Sequence, residues 1–337
     1  MSEDIGGVPP LNWSVLVSEA LRRRKTEGLT QKEHAALSGV SIPTMASFDR
    51  GETTLTLAKA FDILRTVGMI EEASAESAQD SFVSDAFARW RSLVDKLPVR
   101  SPGRFPDGWY RFDYELKGDL KAFTLREFER VLKKAETRHT GWPVFLMLSE
   151  RQEFLPREMD GLIECWIRPE GDGTTRLALA DPAHCDFWRG SPTGRMFSMR
   201  GYQEDSVETF PPHTIFDTSL PIWRMGEALL HAANLAHLMA DDGAEITIRF
   251  RVLYTGLAGR VLRSWANPFG DLRLEGGGAR SDEVVLETEV AASEVTDRLA
   301  DYLYPMVAAL YERFGVTGLS PNQVAVEVGR LLKSNVG

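Results

Sequence analysis

Residues 29–51, LTQKEHAALSGVSIPTMASFDRG, constrain this chain more than any other stretch, because they hold two helix starts with a forced turn between them. Thr30 offers a hydroxyl that can accept from the free amides of an opening helical turn. Glu33, three positions on, completes a capping-box pattern, so a helix is expected over Gln31–Leu37. Ser38-Gly39 should end it, since glycine most cheaply adopts the left-handed backbone that a sharp reversal needs. Ser41 is then a second N-cap, and Pro43 falls inside the first turn of a second helix, where its missing amide removes a donor that had no partner. On this reading Val40, Met45 and Phe48 point one way, packing on Ala36 and Leu37 across the turn. Ile42, Pro43, Thr44 and Ser47 form the opposite face, which is small and mostly polar.

A short helix with such a face, braced by another across a three- or four-residue turn, has the geometry that enters a DNA major groove. The stretch resembles the Xre family of phage-repressor-type helix-turn-helix domains, whose usual form runs LTQ-x-x-LA-x-x-GVS-x-x-x-I-S-x-x-E-x-G. Leu29-Thr30-Gln31, Gly39-Val40-Ser41 and the closing Asp49-Arg50-Gly51 carry the resemblance, which extends roughly from Leu16 to Met69. It departs at His34, where leucine is usual, at Ala46, which replaces a frequent serine, and at Ile42 and Pro43, positions often filled by Arg, Gln or Ser. The resemblance implies sequence-specific binding of double-stranded DNA as a homodimer, most often in a repressor. It also implies that Gln31 clamps a phosphate and that Thr53 and Thr54 touch backbone just past the second helix. Thr44 and Ser47 can meet phosphates or bases, whereas Ile42 can make only apolar contact with something like a thymine methyl. The expected DNA-contacting set is Thr30, Gln31, Ser41, Ile42, Pro43, Thr44, Ser47, Arg50, Thr53 and Thr54. The plainer alternative is that these are solvated helix positions.

The net charge of −10 runs against an approach to phosphates, but local distribution decides attraction. Residues 1–70 hold eight basic side chains (Arg22, Arg23, Arg24, Lys25, Lys32, Arg50, Lys59 and Arg65) and eight acidic ones, so this part is neutral and the acid excess lies downstream. Arg22–Lys25 is either a backbone-reaching basic run or a solvated helix end favoured by the dipole. A neutral head implies modest nonspecific affinity, which makes dimerisation more necessary.

Helices are also expected over Trp13–Arg24, with Val17, Ala20 and Leu21 inward, and over Leu57–Val67, with Ala60, Phe61, Leu64 and Val67 inward. Residues 1–70 therefore form the first domain. Residues 71–107 are the connection: an acidic linker, EEASAESAQDS, then the apolar stripe Phe82, Ala86, Phe87, Trp90, Leu93, Val94 and Leu97, which must bury itself on its own chain or on a second copy. Residues 108–337 form the larger domain, for dimerisation and effector sensing. Strands are expected at Trp109–Leu116, Pro143–Leu148, Gly161–Ile167, Thr175–Leu179, Ala244–Tyr254, Gly259–Trp265 and Val284–Val290. Helices are expected at Leu125–Ala135, Leu220–Met239, Glu294–Phe314 and Pro321–Leu332. Because strands and helices come in blocks, the expected fold is an N-terminal all-α helix-turn-helix bundle joined to a larger α+β C-terminal domain.

Within 337 residues no apolar run approaches membrane-spanning length, and MSEDIGGVPPL has neither the basic start nor the apolar core of a secretion signal, so the cytoplasm is expected. Cys165 and Cys185 fit a reducing compartment. His184-Cys185-Asp186 with Cys165 could suggest a thiol nucleophile or zinc, but paired zinc ligands such as C-x-x-C are missing, and His231 and His237 lie six apart on one helix and face different ways. Gly276-Gly277-Gly278 lacks the GK[ST] ending of a phosphate loop. No catalytic residue, metal or cofactor is therefore expected. Trp142, Trp166, Trp188, Trp223 and Trp265, several beside Arg or Asp, are the candidate lining of a pocket for an unknown small-molecule effector. The expectation is a dimeric transcriptional regulator, with an effector enzyme or antitoxin-like partner-binding protein targeted to DNA as the alternatives.

Overall fold

The computed structural model of the chain describes residues 12–69, 77–148, 151–169, 182–206, 210–267 and 274–334. Two compact units are present, Met1–Ser77 and Ala78–Gly337. The expected strand at Thr175–Leu179 and most of the expected linker, residues 71–76, lie outside the described residues.

The first unit contains α1 (Trp13–Thr26), α2 (Gln31–Leu37), α3 (Ile42–Asp49) and α4 (Leu57–Thr66). Each begins on a side-chain cap: Asn12, Thr30, Ser41 and Thr56 accept from backbone amides in the first turn. Val17, Ala20, Ala35, Met45, Phe48, Ile63, Leu64 and Val67 form its core, with the ring of Trp13 edge-on to Phe48 at 5.5 Å. The inward face of α2 differs from the expected one. Ala36 is exposed and Leu37 is 64% exposed, while His34 and Ala35 are buried, so the inner stripe falls two positions earlier. On α4, Ile63 takes the core position and Phe61 stays 41% exposed.

The second unit opens with α5 (Ala78–Val94), followed by β1 (Trp109–Lys117), α6 (Leu125–Ala135), β2 (Arg157–Met159), β3 (Leu162–Ile167), β4 (Asp186–Ser191), β5 (Arg195–Gly201) and β6 (Ile215–Asp217). It continues through α7 (Leu220–Met239), β7 (Thr247–Tyr254), β8 (Val261–Arg263), β9 (Val284–Ala291), α8 (Val295–Glu312) and α9 (Pro321–Lys333). Seven strands make one sheet in the order β2-β3-β4-β5-β1-β7-β9, with every neighbouring pair antiparallel. β6 and β8 form a separate parallel pair. The unit is thus α+β.

β1 shows why the sheet is two-sided. Tyr110, Phe112, Tyr114 and Leu116 alternate onto the face packed by α6, α7, α8 and α9. Trp109, Arg111, Asp113 and Glu115 alternate onto the other. There α5 lays down the stripe Phe82, Val83, Ala86, Trp90, Leu93 and Val94 against Cys185, Phe187, Phe197 and Met199. It is pinned by ion pairs as well: Arg89 donates from Nε and Nη2 to both Glu164 carboxylate oxygens at 2.9 Å, and Arg251 bridges Asp80 and Asp113 at 2.5 and 2.8 Å. The amphipathic stripe is therefore seated on its own unit, and α5 is part of that unit.

Sixteen of the twenty residues of α7 are buried, so it is the central helix of its layer. Asp217, two residues ahead of the nominal cap, supplies its start: Oδ1 accepts the amides of Ser219 and Leu220 at 2.7 and 2.8 Å. The expected strand at Pro143–Leu148 is instead an irregular buried segment. Phe145 there holds a left-handed φ of 61°, and the Leu146 carbonyl accepts from Trp188 Nε1 at 3.0 Å.

Candidate functional site

Two places in the chain present groups arranged for recognition, one in each unit. In the first, α3 buries Met45 and Phe48 and turns its other side outward: Ile42 is 49% exposed, Ser41 and Pro43 are exposed, and Thr44 and Ser47 are half-buried. The outward hydroxyls are already ordered by local bonds. Ser41 Oγ caps the Thr44 amide at 3.3 Å and lies 2.8 Å from Thr44 Oγ1, and Arg50 donates from Nη2 to Ser47 Oγ at 3.2 Å. Thr30 Oγ1 accepts the Glu33 amide at 3.2 Å while the Thr30 amide donates to the Glu33 carboxylate at 2.8 Å, the reciprocal pair of a capping box. Thr53 and Thr54 are exposed in the turn that follows α3.

Three helices are tied together at the end of α3. Arg24, in the last turn of α1, donates from Nη1 and Nη2 to the two oxygens of Asp49 at 2.9 Å each, and Gln31 Nε2 donates to Asp49 Oδ2 at 2.6 Å. Gln31 is exposed but committed to this bond. The basic run is largely spent inside the unit. Arg22 and Arg23 both pair with Glu19, Arg23 also donates to the Gly68 carbonyl at 2.6 Å, and only Lys25 of the four points to solvent with no ion pair among the described residues. His34, which holds a core position, lies with Nε2 3.0 Å from the Ile63 carbonyl. That oxygen can only accept, so Nε2 carries the proton; burial holds the imidazole pKa below its ordinary value.

In the second unit a cavity of about 930 Å3 opens between the start of α7, the end of α9 and the loop at residues 137–142. Trp142, Trp223 and Trp265 line it, with His139, His184, Gln203, Arg200, Arg224 and Arg330. Each wall is fixed from behind by a buried carboxylate. Glu227 on α7 takes the amides of His139 and Thr140 at 2.8 and 2.9 Å, which presses that loop onto the helix. Asp186 accepts from Trp142 Nε1 at 2.9 Å and from Arg200 Nε and Nη2 at 2.5 and 2.6 Å. Glu327 accepts from Trp223 Nε1 at 3.1 Å and pairs with Arg330. Asp217 Oδ2 accepts the amides of Trp265 and Ala266 at 2.8 and 2.7 Å, so the carboxylate that starts α7 also sets Trp265.

Two of the five tryptophans expected in the pocket do not belong to it. Trp188 is fully buried in the core with its indole N–H spent on Leu146, and Trp166 packs on the opposite face of the sheet, under α5. Strand alternation explains the separation, since a tryptophan on a strand must choose a face before it can choose a pocket. The arginines, which bring the cationic chemistry, carried no sequence signal beyond the Trp223-Arg224 adjacency.

The thiols lie on opposite faces of the sheet, Cys165 with the helical layer and Cys185 under α5. Cys165 Sγ donates to the Phe154 carbonyl at 3.2 Å, and burial pushes its pKa well above the ordinary thiol range, which leaves no thiolate at neutral pH. On α7, His231 is buried and His237 exposed, as their spacing requires. The amides of Gly276 and Gly277 are spent on the Leu262 and Phe314 carbonyls. Among the described residues, no group of three or more His, Cys, Asp or Glu could hold a metal ion, and no helix is long and apolar enough to cross a membrane.

The chain thus has a small helical unit that offers one short helix outward and an α+β unit with an open cavity lined by arginine and tryptophan. Comparison with family models and with curated proteins gives no match to this chain.

Proposed function

We propose that the chain is a cytoplasmic, sequence-specific DNA-binding transcriptional regulator, acting as a homodimeric repressor, with α3 as the helix that enters the major groove. The observation that carries this reading is the outward face of α3. An apolar side chain that is half-exposed, Ile42, stands beside Pro43, Thr44 and Ser47, on a helix whose other side is locked by Met45, Phe48 and the Arg24–Asp49–Gln31 network. A rigid helix with small outward groups suits close approach to base edges, and it offers a thymine methyl a partner in Ile42. Thr30, Arg50, Thr53 and Thr54 flank that face and would meet phosphates, which position the domain without specifying sequence, while Gln31 stands beside them on Asp49. Since Asp49 holds Gln31 and the basic run is mostly neutralised, few phosphates would be engaged and the dependence of affinity on salt would be shallow.

The test is the double variant Thr44→Glu, Ser47→Glu in full-length protein, assayed by gel shift at fixed salt on DNA fragments that the unmodified protein retains. Thr44 stands three residues after the Ser41 cap, so glutamate there completes a capping box and should strengthen the helix. Loss of binding then reports charge repulsion against the duplex. Unchanged affinity would remove α3 as the reader.

A further inference from the structure

We propose that the cavity of the second unit binds a planar anion, a ring system lying among Trp142, Trp223 and Trp265 with its carboxylate or phosphate on Arg224. The chemistry of the wall points one way. Three arginines and two histidines line the cavity, and no aspartate or glutamate does among the described lining residues. The carboxylates that accompany those arginines, Asp186, Glu204 and Glu327, all stand behind the wall. A ligand entering from the open side meets guanidinium and indole, and meets no described negative charge.

Arg224 is the seat of the charge because it is held without being saturated. The residue is 7% exposed, and its one hydrogen bond among the described residues runs from Nη2 to Gln203 Oε1 at 3.3 Å. Glu204 Oε2 stands 3.7 Å from Nη1, beyond hydrogen-bond reach, and is itself buried without a partner among the described residues. The guanidinium lies 5.0 Å from the centre of the Tyr110 ring, which fixes its plane and leaves its edge for a ligand. Arg200 differs: its guanidinium donates to Asp186, to the Trp142 carbonyl at 2.9 Å and to the Pro143 carbonyl at 2.8 Å, so its work is structural. N–H groups that no described residue takes, beside a cavity, are open to an oxyanion, and the guanidinium fork matches the two oxygens of a carboxylate or phosphate. The second requirement is a ring. At about 930 Å3 the space is near the upper end of small-molecule sites and far exceeds a bare oxyanion, while three indoles offer flat apolar walls. His139 lines the same wall.

Any regulatory consequence of this binding rests on the DNA-binding reading above. The binding itself does not, and it is measured on the full chain without DNA, so each can fail alone. The probe is 1-anilinonaphthalene-8-sulfonate, an aromatic anion built on a flat naphthalene, compared with N-phenyl-1-naphthylamine, the same ring system without the charge. The expected result is saturable binding of the sulfonate at one site per chain, followed by energy transfer from tryptophan, with the uncharged analogue weaker by about tenfold or more. Arg224→Gln should erase that preference, and Arg224→Lys should keep part of it. Trp265→Leu, at a half-exposed position outside the core, should weaken both probes and serves if Arg224→Gln fails to fold. Displacement by adenosine monophosphate but not adenosine would assign the natural anion as a phosphate. Displacement by 2-naphthoate but not 2-naphthamide would assign a carboxylate. Equal binding of the charged and uncharged probes, or a preference for the sulfonate that survives in folded Arg224→Gln, would overturn the proposal.

Discussion

The placement of α3 depends on one carboxylate, and removing it gives the sharpest test of how the first unit is held. Asp49 is the last residue of α3, where the helix dipole opposes a negative charge by about 0.3–1 kcal/mol. It is stable there because Arg24 grips both oxygens and Gln31 adds a third bond, with the two charged side chains only 11% and 15% exposed. Asp49→Ala strands a mostly covered guanidinium. A fully buried pair broken in this way costs about 3–5 kcal/mol; residual solvent access and relief of the dipole reduce that to about 2 kcal/mol here. Hydrogen exchange of the full-length protein, read by mass spectrometry on peptides from α2 and α3, should then quicken by about thirtyfold, with α7 as the internal control. Combining it with Arg24→Met should recover about 1–2 kcal/mol as coupling in the double-mutant cycle. Acceleration below about threefold, or coupling near zero, would refute the reasoning: the apolar contacts of Met45 and Phe48 would then hold α3 alone.

The two buried histidines should give acid sensitivity of different depth. His34 has a depressed pKa in the folded state, so its contribution is present above the ordinary value of 6.5 and is lost as pH falls through the folded value. Calorimetry of the first unit should show stability falling by up to about 1.4 kcal/mol per pH unit in that window, and His34→Leu should flatten the slope. His231, buried on α7 with Nδ1 3.0 Å from the Tyr114 hydroxyl, is pushed from 6.5 down to about 3. Its protonation should cost the second unit about 5 kcal/mol between neutral pH and pH 3, and a His231→Leu variant that unfolds in acid with the same profile as the unmodified protein would contradict this.

The helical elements were legible wherever capping and periodicity agreed. Thr30-x-x-Glu33 and Ser41 fixed the starts of α2 and α3, and the apolar stripe of residues 220–239 gave α7 end to end. The β4–β5 hairpin was missed for a physical reason. Every residue of β4 and nearly every residue of β5 is buried, so period-two alternation is absent, and buried Arg189 and Arg200 read as solvent-facing until their partners Glu164 and Asp186 are known. The Pro143–Leu148 run shows the converse error, since apolar character announces burial and not conformation. In the cavity, tryptophan content gave three of the wall residues, but Arg200, Arg224 and Arg330 lie far apart in sequence and only the fold brings them together.

In the proposed role α3 reads duplex DNA as one half of a symmetric pair. Its most direct test is selection of the full-length protein on a random duplex library, with the bound pool sequenced at fixed salt. The expected result is an enriched inverted repeat with half-sites about 10 base pairs apart, centre to centre, or a multiple of that spacing. A bound pool indistinguishable from the input library would contradict it.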